Sequence, residues 1–377
     1  MSISRSFEDF NLKNNLLRGI FAFGFNTPSK IQNEAIEPMI QKREIIAQSH
    51  SGTGKTGAFS IGVLQLINEN INECQAIIIT PTHELANQVH DVITNLSKFM
   101  NIKVALCIGR TSIIDNIKTL TGAHIVVGTP GRIIDMMNRK YIDKSYIKLL
   151  ILDEADEMLA GDFRKQIKTI VSTIANTTQI CLFSATITEV TLKISEAFMN
   201  NPVKILIEKE RLTLDEISQF YVMIENEKFK YETFKELYNI VSVGQAIVYT
   251  NTQSKAKWLY DSLIADNNTC GVIYSSMKPS DRTEVLKNFR NGQFRILIST
   301  DLLSRGIDIQ QLSVVINYDL PTDKECYIHR IGRSGRFGKR GVAINLSTVR
   351  DHRIIRDLER FYKTTIAELP DNIDSYL

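Results

Sequence analysis

Short, unbroken runs of aliphatic and β-branched residues recur along the chain between longer stretches of helical composition, and this alternation limits the possible folds more than any other feature. A strand that is apolar at every position has to be covered on both faces, as parallel strands are when helices pack on either side of their sheet. The runs predict strands at 44–47, 76–80, 104–108, 124–128, 149–152, 180–183 and 203–207, and again at 246–249, 271–274, 295–299, 314–317 and 342–346. Between the two sets, residues 208–217 are charged and without period, as expected of an exposed connection. The predicted fold class is α/β, with two doubly wound parallel-sheet domains at 1–207 and 218–377 joined by the short linker 208–217. A length of 377 residues suits two such domains.

Composition narrows the function. With 43% hydrophobic and 23% charged residues the chain has the balance of a protein folded throughout. A net charge of +3 is too small for binding polyanions by bulk attraction, so any nucleic-acid contact has to be a local one. No apolar run approaches the ~20 residues of a membrane span. The first ten residues carry Glu8 and Asp9 in place of a signal-peptide core, so a cytoplasmic or nuclear location is expected. The five cysteines stand far apart, without the paired spacing of a zinc site.

The chemistry is concentrated after two of the predicted strands. Gln48-Ser49-His50-Ser51-Gly52-Thr53-Gly54-Lys55-Thr56 lies between a strand and a helix and reads as a phosphate-binding loop. Gly52 and Gly54 let backbone N–H groups wrap a phosphate, Lys55 adds positive charge, and the Thr56 hydroxyl suits a magnesium ion. Ser49 stands where the general pattern has glycine. Asp153-Glu154-Ala155-Asp156 follows the strand at 149–152; Asp153 is placed to hold Mg²⁺, directly or through water, and Glu154 to orient and deprotonate an attacking water.

Together with Ser184-Ala185-Thr186 and the run His329 to Gly338, HRIGRSGRFG, that tetrad makes the chain resemble the DEAD-box RNA helicases, and among them the translation initiation factor 4A type. VGTPGR from Val127 and VINYDLPT from Val315 carry the likeness into both halves. The resemblance implies two RecA-like domains, ATP and Mg²⁺ as cofactors, and RNA-stimulated ATP hydrolysis coupled to local unwinding of short RNA duplexes. It makes Phe25 the stacking partner of adenine, Gln32 its hydrogen-bond reader and Phe7 the upstream aromatic of the same motif. Lys55 and its loop, Ser51, Gly52, Thr53, Gly54 and Thr56, become the phosphate site. Asp308 becomes a ribose contact, Arg333 and Arg336 arginine fingers, and His329 a link to Ser184-Ala185-Thr186. It further implies a sequence-independent grip on single-stranded RNA by Pro81, Thr82, Gly109, Arg110, Thr129, Gly131 and Arg132 in the first domain and by Thr252 and Thr300 in the second. A monomer is expected, with a helical-repeat scaffold protein as a partner and no membrane contact.

Several positions depart from the family pattern. His83 replaces an arginine, Arg110 the second of two glycines, Tyr274-Ser275 a His-Gly pair, and Pro279 a glutamine. These changes bear on RNA affinity and unwinding more than on ATP hydrolysis. The rival readings, an RNA-clamping scaffold that barely turns over ATP and a DNA translocase, are disfavoured respectively by intact Glu154, Arg333 and Arg336 and by the adenine motif around Gln32.

Overall fold

A computed structural model of the chain describes residues 5–49, 52–206, 217–240, 245–304, 312–334, 341–370 and 373–376. It comprises two compact units, Met1–Ile207 and Glu208–Leu377. In the first, β1 (Ile45–Gln48), β2 (Ala76–Ile79), β3 (Val104–Cys107), β4 (Ile125–Gly128), β5 (Leu149–Asp153), β6 (Gln179–Ser184) and β7 (Val203–Ile205) form one sheet of order β3-β4-β2-β5-β6-β1-β7. Every pairing is parallel. The five inner strands are buried at each position, whereas the outer β3 and β7 are half exposed. Alternate side chains serve opposite faces: Ile45, Ala47, Ile78 and Ile151 join one core, and Ile46, Ile77, Leu150 and Leu152 the other. Covering both faces is what makes these strands apolar over most of their length, with polar residues only at strand ends, Gln48, Asp153, Gln179 and Ser184.

Register decides where the chemistry falls. Gln48 pairs with Ser184 and Asp153 with Phe183, so β1, β5 and β6 reach the same sheet edge together at their carboxyl ends. Open α/β sheets bind ligands outside that edge.

The second unit repeats the arrangement. β8 (Ile217–Ile224), β9 (Gln245–Tyr249), β10 (Cys270–Ile273), β11 (Ile296–Ser299), β12 (Leu312–Asn317), β13 (Gly341–Thr348) and β14 (Ala367–Glu368) are again all parallel, in the order β10-β11-β9-β12-β13-β8-β14. Strand for strand, this is the topology of the first unit. β8 and β14 were not among the predicted strands, and β8 begins at Ile217, the residue expected to end the linker. Its sequence, ISQFYVMI, mixes polar and apolar residues because only a sparse β14 covers its outer side. Among the described residues no helix is long and apolar enough to cross a membrane.

Polar side chains penetrate the second unit deeply. Asp319 lies just beyond β12, 7% exposed, and its carboxylate accepts from Lys230 Nζ at 3.2 Å, Lys255 Nζ at 2.8 Å and Asn251 N at 3.1 Å. Burial alone would raise its pKa; the hydrogen bonds from Lys255 and Asn251 and the charge of Lys230 outweigh burial and hold it below the usual carboxylate range. A carboxyl group whose pKa is depressed by folding stabilises the fold fully above its unfolded value of about 4, and that contribution disappears as pH falls through the folded value. The stability difference between wild type and Asp319→Asn, measured by urea denaturation, is therefore expected to be constant from pH 6 down to about 5 and to narrow below about 4. A difference independent of pH down to 3 would contradict it.

Candidate active site

β1 gives way to the phosphate loop at Ser49, whose N–H donates to Ser184 O at 3.0 Å and so ties the loop to the end of β6. Gly52 and Gly54 have φ of 80° and 99°, a region closed to most side chains. Gly54 immediately precedes the helix Lys55–Leu66. A Cβ on Gly54 would stand 2.8 Å from Gln32 Nε2, and one on Gly57 2.9 Å from Phe25 Cε2. The glycines thus allow the turn and also the close packing of the adenine motif onto it. Lys55 is 7% exposed and its Nζ donates to Ser49 O. The Ser49 hydroxyl, the departure from glycine, hydrogen-bonds Thr53 Oγ1 at 2.6 Å and braces the loop. Thr56 is half-buried one residue into the helix. Ser51, Asp308 and Arg336 lie outside the described residues.

Gln32 stands in the first turn of the helix Lys30–Ile40. Its Oε1 accepts from Ser29 N at 2.8 Å and its Nε2 donates to Gly54 O at 3.3 Å, which leaves one N–H and one lone pair for a base edge. Phe25 is half-buried between Phe7, nearly parallel at 6.4 Å, and Phe23, edge-on at 5.0 Å. Phe23 was not singled out from the sequence; the alternating aromatics of Phe21-Ala22-Phe23-Gly24-Phe25 were its one signal.

Asp153 ends β5, and Glu154 follows in a left-handed conformation with φ of 51°. That conformation costs a residue with a side chain about 1–2 kcal/mol and marks a strained turn. Both carboxylates are buried, at 3% and 2% exposure. Burial, reinforced by the charge of Glu154 and opposed by Lys55, lifts the Asp153 carboxyl well above the usual range. Glu154 Oε2 is buried without a hydrogen-bond partner among the described residues. Two adjacent buried carboxylates, one with an orphaned oxygen, are a donor set suited to a hard divalent cation. Asp156 turns elsewhere: it accepts from Ser184 Oγ at 2.7 Å and from Thr186 Oγ1 at 2.5 Å, joining the tetrad to Ser184-Ala185-Thr186 inside the same unit.

The loops expected to face RNA in the first unit leave the carboxyl ends of three neighbouring strands. Pro81-Thr82 follows β2, Gly109-Arg110 follows β3, and Thr129 to Arg132 follows β4. Thr82 caps the helix His83–Leu96 by accepting Leu85 N, and Thr129 begins the helix Pro130–Asn138. The His83 ring lies against Gly109, 3.5 Å from where a Cβ would be. Arg110 holds φ of 59°, so the arginine has kept the backbone shape that glycine prefers. Arg132 is bound to its own unit: Nη1 donates to Asn116 Oδ1 at 2.7 Å and Nη2 to Thr111 O at 3.1 Å.

In the second unit Thr252 and Thr300 follow the adjacent strands β9 and β11. Thr252 Oγ1 accepts Lys255 N at 3.2 Å, capping the helix Gln253–Ala265. His329 and Arg333 are buried, and Arg333 Nε donates to Ser304 O at 3.0 Å and His329 O at 3.2 Å. Tyr274-Ser275 follows β10, with Ser275 Oγ accepting from Gln253 Nε2 at 2.7 Å. Pro279 opens the helix Pro279–Arg290, where its missing N–H costs nothing.

Comparison with known proteins gives a consistent result. Residues 29–194 match the DEAD/DEAH box helicase family, and residues 229–338 match the helicase conserved C-terminal domain. The ATP-dependent RNA helicase eIF4A of Candida glabrata is 51% identical over 367 residues, 97% of this chain and 93% of that protein. The eIF4A of Pyricularia oryzae is 49% identical over 369 residues, 98% of this chain and 93% of its own. Among solved structures, Saccharomyces cerevisiae Dbp5 bound to RNA and ADP BeF3 is similar with a TM-score of 0.93 and 34% identity, covering 98% of this chain and 97% of that one. A DEAD box protein of Methanococcus jannaschii is similar at a TM-score of 0.56 and 38% identity, covering 97% and 99%.

Proposed function

Because the chain belongs to the DEAD-box family of ATP-dependent RNA helicases, we propose that Lys55, Asp153 and Glu154 form its hydrolytic centre. On the same reading Phe25 and Gln32 select adenine, and the loops at the carboxyl ends of β2, β3, β4, β9 and β11 grip single-stranded RNA by its backbone. The observation that carries this reading is the shared sheet edge of β1, β5 and β6, with the adenine motif packed directly on the phosphate loop. Backbone N–H groups of the loop and the Lys55 ammonium bind the β- and γ-phosphates. Asp153 and Thr56 would hold Mg²⁺, which when bound neutralises phosphate charge. Glu154 orients the attacking water and takes its proton, its orphaned Oε2 being the acceptor. Arg333 and Arg336 are the arginine fingers, His329 the link to Ser184-Ala185-Thr186, and Asp308 the ribose contact. Pro81, Thr82, Gly109, Arg110, Thr129, Gly131 and Arg132, with Thr252 and Thr300, offer hydroxyls, N–H groups and charge to phosphate oxygens, with no reader of base identity.

The near-full-length likeness to eIF4A proteins supports work in translation initiation, in the cytoplasm, by a monomer that opens short duplexes. A helical-repeat scaffold protein is the partner expected there; Dbp5, of the same fold, has been solved bound to Gle1. Phosphate release measured with single-stranded RNA, single-stranded DNA and no nucleic acid tests the reading. Stimulation by RNA of several sequences and not by DNA is expected. Equal stimulation by DNA would favour a translocase, and no stimulation a scaffold.

Arg110 provides a further check. Arg110→Gly relieves a left-handed conformation and removes a cation, so stability is expected to rise by about 0.5–1 kcal/mol. RNA affinity is expected to fall at the same time, with the slope of log K against log salt shallower by about 0.7. Thermal melting and RNA titrations at several salt concentrations read the two effects separately. An unchanged salt slope would remove Arg110 from the RNA face.

A further inference from the structure

Arg330, on the helix Lys324–Ile331, is fully buried and has no part in the nucleotide chemistry or the RNA contacts proposed above. Its guanidinium reaches three loops at once. Nε donates to Asp301 Oδ1 at 2.6 Å, beside Thr300 after β11. Nη2 donates to Asn251 Oδ1 at 2.8 Å, beside Thr252 after β9. Nη1 donates to Asp319 O at 2.7 Å and Asn317 Oδ1 at 3.3 Å, at the end of β12. The ring of Tyr249 lies 5.2 Å beneath it.

Asp319 closes the other side of Asn251. Its Oδ2 accepts Asn251 N at 3.1 Å, while Asn251 Nδ2 donates to Leu320 O at 2.8 Å. Asn251 is therefore fixed through its amide N–H and both side-chain polar atoms. Asp319 Oδ1 holds Lys255 Nζ, and Lys255 N is the donor to the Thr252 hydroxyl. Burying a guanidinium is a poor way to stabilise a core, since a well-packed apolar side chain of the same size often does as well. A rigid planar fork, unlike an apolar chain, also fixes the spacing of the three loops that it bonds at once.

We propose that Arg330, assisted by Asp319, is a positioning residue that sets the spacing of Thr252 and Thr300 and thereby the second unit's hold on single-stranded RNA. This rests on the reading that those two threonines face RNA phosphates. Arg330→Lys keeps the charge and loses the fork. In the full-length enzyme, KM for RNA is expected to rise by about tenfold or more, the worth of one charge-assisted hydrogen bond. kcat at saturating RNA and KM for ATP should stay within about twofold, a split that general loosening of the fold would not give. Asp319→Asn, which keeps an oxygen for Asn251 N, should raise KM for RNA by a smaller factor. If Arg330→Lys does not fold, it carries the test on the same criteria. Thr252→Ala separates the two levels of inference. If it leaves RNA affinity unchanged, the contact assignment fails and the positioning role fails with it. If Thr252→Ala weakens RNA binding while folded Arg330→Lys does not, the positioning role alone is overturned. It is equally overturned if KM for ATP and kcat deteriorate as much as KM for RNA. Support requires the split, and a Thr252→Ala/Arg330→Lys double variant whose loss is smaller than the product of the single losses.

Discussion

A Glu154→Gln enzyme is expected to bind ATP and RNA and to hydrolyse almost nothing, with RNA-stimulated phosphate release lower by about 10²–10⁴-fold, the usual worth of a positioned general base. Glutamine has the size and reach of glutamate, so the strained turn at φ 51° and the burial of the side chain survive the change. What is lost is the capacity of Oε2 to accept a proton. ATP is itself an anion, and removing one of two adjacent buried negative charges leaves its binding as tight or tighter. Single-turnover hydrolysis and equilibrium binding of a fluorescent ATP analogue read the two properties separately. Hydrolysis near the wild-type rate would dismiss Glu154 as the base, and a matching loss of ATP binding would show that the turn had collapsed.

Lys55→Ala should fail one step earlier. Lys55 is the buried cation that opposes the charge of Asp153, and its Nζ also fastens the loop to Ser49 O. Without it an incoming triphosphate meets the two carboxylates with one counter-charge fewer. Nucleotide affinity is expected to fall by about 2–4 kcal/mol, roughly 30- to 1,000-fold, as for loss of a charge-assisted hydrogen bond in a buried site. Titration of ATP followed by isothermal calorimetry checks it, with a thermal melt confirming that the variant is folded. Affinity within threefold of wild type would mean that backbone N–H groups alone hold the phosphates.

These two residues were legible in the sequence because their signals are local: glycines, a lysine and a threonine at fixed spacing after an apolar strand, and carboxylates after another. Most of the inner strands were equally plain, because each carries a short run of consecutive apolar residues. β8 was not, because it is covered unevenly; Gln219, buried within it, hydrogen-bonds Tyr327 OH and Thr364 Oγ1, residues more than a hundred positions away. Shorter separations, 28 and 30 positions, were enough to hide the union of Asp156 with Ser184 and Thr186, and 16 and 21 positions the inward ties of Arg132. Arg330 was in view as a letter of HRIGR, but its partners at 251, at 301 and at 317 and 319 come from three separate segments that the fold alone assembles.

The matching strand order of the two units makes them a duplicated plan, and the duplication can be read position against position. β8 corresponds to β1 and β12 to β5. The helix after β1 starts at Lys55 and β5 ends at Asp153; the helix Lys230–Ile240 after β8 starts at Lys230, and Asp319 stands two residues past β12. In the second copy those two side chains are joined, Lys230 Nζ to Asp319 Oδ1 at 3.2 Å, and Asp319 is further held by Lys255 and Asn251 N. The ammonium that in the first copy donates to the carbonyl of Ser49 in the loop is in the second matched directly by a carboxylate of the same unit. A nucleotide entering there would have to displace it from a buried ion pair. The same strand order thus carries a lysine tied to a loop carbonyl in one unit and a lysine neutralised by a buried carboxylate in the other, and a buried pair of that kind is costly to break from one side.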